Sequence, residues 1–129
     1  MDDRRSAVMT LILLMACVVA LNVCGHVFLK VGMNQVGEIG DRSITDFASS
    51  AIANPFVLLG LAGYVSSVAG YIVVLSKTNL SVAYPILMST GYALVVLVSF
   101  IFLKEPFGTV KWAGLTFILV GVVMVSLKG

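Results

Sequence analysis

Four long apolar runs, separated by short polar stretches, organise the chain. They extend from about Ala7 to Lys30, Asn54 to Ser76, Ser81 to Leu103 and Thr109 to Leu127. A bilayer core about 30 Å thick needs roughly 20 apolar residues of helix, so each run predicts one transmembrane span. Lipid offers the backbone no hydrogen-bond partners, which requires each span to be helical. Membrane β-barrels use ~10-residue alternating stretches, and none of these runs alternates. The pattern predicts an all-α membrane protein, a four-transmembrane-helix bundle in one domain over residues 1–129.

The connections constrain the packing. Val31 to Ala53 is the only long one, with Glu38, Asp41, Arg42 and Asp46 among glycines and serines; Ser43 to Ser50 predicts a short amphipathic turn. Lys77-Thr78-Asn79 and Lys104-Glu105-Pro106-Phe107-Gly108 are short enough to force antiparallel neighbours, so the last three spans form an up-down-up packet.

Composition agrees. Of 129 residues, 60% are hydrophobic and 11% charged, with a mean hydropathy of +1.09. Soluble domains carry about 25% charged residues, so most of this surface must meet lipid. The net charge of +2 is spread thinly, without the basic patch that nucleic-acid binding needs. Arg4, Arg5, Lys77 and Lys128 lie on one side of the predicted topology and Lys30, Arg42, Lys104 and Lys111 on the other. The positive-inside rule needs an imbalance, and none exists here. Either the charge signal of so small a protein is simply weak, or a partner subunit sets the topology, or inverted copies pair in one membrane.

Arg4-Arg5 before an apolar run resembles a signal-peptide start, and Leu14-Met15-Ala16-Cys17 a lipoprotein cleavage box. The apolar run outlasts the ~7–15 residues of a cleaved h-region, so retention as the first span is expected. Cys17 and Cys24 are seven residues apart in that run, about 10 Å along a helix. That exceeds the roughly 7 Å Cα separation a disulfide tolerates, and both read as buried small residues.

Candidate chemistry sits on two faces. Asn22, His26 and Lys30 recur at i, i+4 and i+8, on one side of the first span. Polar groups at membrane depth are costly and turn toward a bundle interior or a water-filled cavity. No Asp or Glu lies within the spans. The stripe therefore predicts a cationic or neutral pocket suited to an anionic headgroup, with Lys30 serving phosphate as a point charge.

In the third span Tyr84, Met88 and Tyr92 repeat the same spacing, with Ser89 and Gly91 nearby and Pro85 interrupting the backbone ladder. Gly63, Ser67, Gly70 and Tyr71 give the second span a narrow face for close packing. Gly114 and Gly121, beside Ala113, leave a groove on the fourth span that reads as a packing or dimer surface. One histidine, no zinc spacing, no carboxylate pair and no phosphate-cradling glycine loop leave no enzyme signature, and no cofactor or metal is expected.

Two stretches resemble a known family. Asn22-Val-Cys-Gly-His-Val-Phe-Leu-Lys30 is the first. The second runs from Ser81-Val-Ala-Tyr-Pro-Ile-Leu-Met-Ser89 through Phe102-Leu-Lys-Glu-Pro106 to Trp112-Ala-Gly114 and Gly121-Val-Val123. Together they resemble the four-helix members of the drug/metabolite transporter superfamily. These include the small multidrug resistance exporters and the paired subunits of the aminoarabinose–phosphoundecaprenol flippase.

The exporters exchange protons for cationic drugs with a Glu in the first helix, and Asn22 stands at that position here. Leu87 stands where an exporter places Trp. The flippase subunits lack the acidic residue, keep a lysine matching Lys30, and share the Ala83-Tyr84-Pro85 and Lys104-Glu105-Pro106 runs. The resemblance thus implies a bacterial inner-membrane transporter or flippase of a polyprenyl-phosphate-linked sugar or similar anionic lipid. Lys30 and His26 would attract the phosphate, Asn22, Tyr84 and Ser89 would contact the headgroup, and Tyr92 would line the path. The expected assembly is a homodimer, possibly antiparallel, or a heterodimer with a similar subunit, held by Gly114 and Gly121. The alternatives are a proton-coupled exporter of small cations or metabolites and a non-transporting accessory subunit.

Overall fold

The computed structural model describes residues 2–128. Five helices follow one another: α1 (Asp2–Val36), α2 (Ile44–Ala53), α3 (Pro55–Leu75), α4 (Leu80–Ile101) and α5 (Thr109–Lys128). Four of them, α1, α3, α4 and α5, are long and apolar enough to cross a membrane. The molecule is an all-helical, four-span membrane protein.

α1 is longer than its apolar run. It begins among the charged residues before Ala7 and continues past Lys30 to Val36. It stops at Gly37, whose φ of +83° ends a helix without steric cost; the Gly37 N–H donates to the Met33 carbonyl at 2.9 Å. The predicted turn over Ser43 to Ser50 is the ten-residue helix α2. Its N-cap Ser43 accepts from the Thr45 N–H. Asn54 both closes α2 and opens α3, accepting from the Phe56 and Val57 N–H groups at 2.9 and 3.3 Å, with Pro55 preset for the first helical turn. Asn54 Nδ2 also donates to Gln35 Oε1 at 3.0 Å, joining the end of α1 to the start of α3.

Glycines set the α1–α3 interface. A Cβ at Gly60 would lie 2.6 Å from the Leu29 nitrogen, and one at Gly25 would lie 2.8 Å from the Tyr64 nitrogen. The two backbones thus touch where no side chain fits, the small-residue approach that associates helices in lipid. Above and below this point Gly32 meets Val57 and Gly70 meets Val18. The buried core consists of Val18, Val19, Val23, Val74, Ala83 and Leu87, where α1, α3 and α4 converge.

α3 and α4 make the least contact of any touching helix pair, although they are consecutive, and α5 packs on α4 alone. A space therefore remains between α3 and α4, floored by α1. Two expectations change here. Cys17 and Cys24 are free and exposed, on the outward stripe of α1 shared with Leu21 and Phe28, where a small apolar thiol suits lipid. Gly114 and Gly121 have open space where a Cβ would be built, so they form no packing groove within the chain.

Candidate functional site

The space between α3 and α4 is a cavity of about 640 Å³, within the ~300–1,000 Å³ of typical ligand sites. α1 contributes Val18, Val19, Asn22 and His26; α3 contributes Tyr64, Ser67, Val68 and Tyr71; α4 contributes Tyr84, Leu87, Met88, Gly91, Tyr92 and Val95. The helical period explains the selection. Asn22 and His26, Tyr64, Ser67 and Tyr71, and Tyr84, Met88 and Tyr92 recur at three- and four-residue steps, so each set shares one face.

Two of the polar side chains in the cavity are bonded to each other. Asn22 Nδ2 donates to Ser67 Oγ at 3.2 Å, and Ser67 Oγ donates to the Tyr64 carbonyl at 2.7 Å. Ser67 is only 2% exposed, so this pairing satisfies a hydroxyl that would otherwise be buried alone. The His26 and Tyr64 rings lie 5.5 Å apart, tilted by 58°. The lining carries tyrosines, an amide, a hydroxyl and an imidazole, with no Asp, Glu, Lys or Arg.

Of the six residues expected to bind substrate, the structure brings together four, Asn22, His26, Tyr84 and Tyr92. It does not bring Lys30 or Ser89 to them. Lys30 continues the stripe one turn past His26, but its Nζ lies 3.9 Å from Glu105 Oε1 in the α4–α5 connection. The cavity is thus largely apolar, with a few polar groups and no Lys or Arg, and the Lys30–Glu105 pair lies beyond its His26 end. Ser89 is buried, donates to the Ile86 carbonyl at 3.2 Å, and lines a smaller groove between α4 and α5. It follows Met88 by one residue, about 100° around the helix, which turns it off the cavity face.

Sequence reasoning missed Tyr64 and put Ser67 and Tyr71 on a packing face. In fact the glycines of α3 face α1 while Tyr64, Ser67 and Tyr71 face the cavity. Their three- and four-residue spacing was the available signal. No group of three or more potential metal ligands occurs among the described residues.

Four apolar spans around an intramembrane cavity that carries a few polar side chains fit a small multi-pass membrane carrier. The chain belongs to the Small Multidrug Resistance family, whose model matches residues 27–118. It is therefore a multi-pass protein of the bacterial inner membrane and a transporter of that family.

Among its relatives is an uncharacterized protein of Sinorhizobium fredii, 32% identical over 114 residues, covering 84% of this chain and 89% of that one. A probable 4-amino-4-deoxy-L-arabinose-phosphoundecaprenol flippase subunit ArnF of Aeromonas hydrophila subsp. hydrophila is 40% identical over 74 residues, 56% of this chain and 50% of that one. Its counterpart in Enterobacter sp. (strain 638) is 34% identical over 99 residues, 75% of this chain and 76% of that one. The match thus spans only half of the Aeromonas relative. No solved structure gives a significant match.

Proposed function

We propose that this transporter moves a polyprenyl-phosphate-linked sugar, or a similar anionic lipid-linked substrate, across the inner membrane by alternating access. One observation carries the reading: the cavity contains hydrogen-bonding and aromatic groups but no carboxylate. A proton-coupled exporter of cations needs an acidic group that trades a proton for cargo, and the amide of Asn22, bonded to Ser67, cannot titrate near neutral pH. A sugar suits the lining better. Asn22, His26 and the tyrosine hydroxyls can pair with its hydroxyls, and aromatic rings can cover its C–H faces. The names of the flippase-subunit relatives support the same class of cargo.

In this reading the headgroup enters between α3 and α4, where the helices part, and the polyprenyl tail stays in the bilayer. The phosphate lies toward the Lys30 end. Pro85 deprives α4 of one ladder bond, so the cavity's α4 wall can bend as access alternates. A second copy, or a similar four-helix subunit, covers the exposed α5 face that carries Gly114 and Gly121.

A vesicle assay tests this. Purified chain, alone and with a candidate partner subunit, is reconstituted with a fluorescent polyprenyl-phosphate sugar, and its movement between leaflets is followed. Protein-dependent flipping that Gly91→Leu abolishes supports the reading. Proton-driven uptake of organic cations, with no flipping, would replace it with the exporter.

A further inference from the structure

Beyond the cavity, the molecule holds an ion pair between groups far apart in sequence. Lys30 ends the Asn22–His26 stripe of α1, one helical turn (about 5.4 Å of pitch) past His26. Glu105 belongs to the connection between α4 and α5, and its Oε1 is 3.9 Å from Lys30 Nζ.

The connection is braced. Lys104 turns the chain with a φ of +52°, and the Glu105 N–H donates to the Ser99 carbonyl at 3.2 Å. The Phe107 ring lies 5.5 Å from Trp112 and 6.2 Å from Phe100, and Phe100 lies 5.8 Å from Trp112. Lys111 Nζ sits 4.7 Å above Phe107. The carboxylate is thus presented from a packed aromatic platform to a lysine on a flexible four-carbon stem.

We propose that this pair is an exchange site: the phosphate of the lipid-linked substrate replaces the Glu105 carboxylate on Lys30. The inference rests on the function proposed above. Three observations favour exchange over a fixed structural bridge. The contact is long and involves one carboxylate oxygen, unlike a bidentate clamp. The side chains are 52% and 41% exposed, so another anion can reach the ammonium. The lysine lies on the same helix face as cavity residues Asn22 and His26, so a headgroup among those residues places its phosphate near the ammonium.

The pair also solves a problem of the empty state. A lone ammonium close to the hydrocarbon region is costly, and Glu105 compensates it until another anion arrives. Exchange keeps Lys30 matched by one anion or the other. It also confers selectivity, since a neutral polyprenol has nothing with which to displace the carboxylate.

Zero-length cross-linking of the full-length protein in lipid nanodiscs reads the pair directly. A carbodiimide activates the Glu105 carboxyl, the Lys30 amine attacks it, and the resulting amide is quantified by peptide mass spectrometry. Native mass spectrometry records lipid binding in parallel. The expected result is an amide in the unliganded protein that falls at least severalfold with undecaprenyl phosphate and is unchanged by undecaprenol. Glu105→Gln should tighten undecaprenyl phosphate binding by about threefold to fivefold, the equivalent of losing a competing exposed pair.

No amide in the unliganded protein overturns the proposal. So does an undiminished amide while undecaprenyl phosphate is bound, and that outcome leaves the proposed function standing. Equal suppression by inorganic phosphate assigns the site to a free anion and overturns lipid exchange. Failure of undecaprenyl phosphate to bind at all removes the functional reading and this inference together.

Discussion

Asn22 on α1 donates to Ser67 on α3 at 3.2 Å, an amide–hydroxyl pair in a cavity lined by no carboxylate. Interhelical bonds of this kind contribute about 0.6 kcal/mol on average within membranes. Asn22→Ala should therefore cost less than ~1 kcal/mol in an unfolding titration. Asn22→Glu should be more damaging to function than to folding. A carboxylate at residue 22 lies roughly 12 Å along the helix from Lys30 and, at an effective dielectric near 20, opposes an anion there by ~1.4 kcal/mol. Flipping in vesicles should fall about tenfold, and unchanged flipping would show that the anion does not come that near residue 22.

The glycines divide into two classes that a single stability series can separate. A Cβ at Gly25 or Gly60 would sit within 3 Å of backbone atoms of the opposing helix. Gly60→Ala should lower stability by about 1–3 kcal/mol, the usual cost of overpacking. Gly114→Ala and Gly121→Ala meet open space and should leave the monomer's unfolding curve unchanged. If the α5 face holds a partner, those two variants should instead change the monomer–dimer ratio seen by cross-linking in vesicles.

Gly91 lines the cavity, and a Cβ there would point to within 3.9 Å of Asn22 Oδ1, with no closer neighbour. Gly91→Leu should therefore fill the headgroup space without disturbing helix packing. The expected outcome is normal expression and thermal stability with flipping lost. Retained flipping would move the substrate path elsewhere.

Tyr92 and Ser89 test the assignment of faces on α4. Tyr92→Ala removes an aromatic wall of the cavity and should lower transport severalfold. Ser89→Ala alters a hydroxyl bonded to its own helix, facing α5, and should leave substrate binding unchanged. Lipid binding measured by native mass spectrometry checks both.

The spans were legible in the sequence because lipid contact imposes continuous hydrophobicity, and residues 54–76 and 109–127 lie close to α3 and α5. Where α1 stops was not legible from hydropathy, since helix continues through Val31–Val36 beyond the apolar run; the stop is set by Gly37. α2 read as a turn because its ten residues are too few for a clear period, although Ser43 offers a cap.

The cavity was half legible. Four- and eight-residue spacing picked out Asn22, His26, Tyr84 and Tyr92, but the same spacing in α3 was credited to packing because glycines dominate the other face of that helix. The partner of Lys30 was not legible at all. Glu105 reaches it only through the folding of the α4–α5 connection, which no local pattern encodes.

The central claim is that a carboxylate-free cavity between α3 and α4 receives the headgroup of an anionic lipid. Mass spectrometry of lipids that co-purify with the protein, released from wild type and from Gly91→Leu under identical conditions, tests it most directly. The account predicts a polyprenyl-phosphate species bound to the wild type and absent from the variant. A wild type carrying only bulk phospholipid, or the same polyprenyl phosphate retained when the cavity is filled, would contradict it.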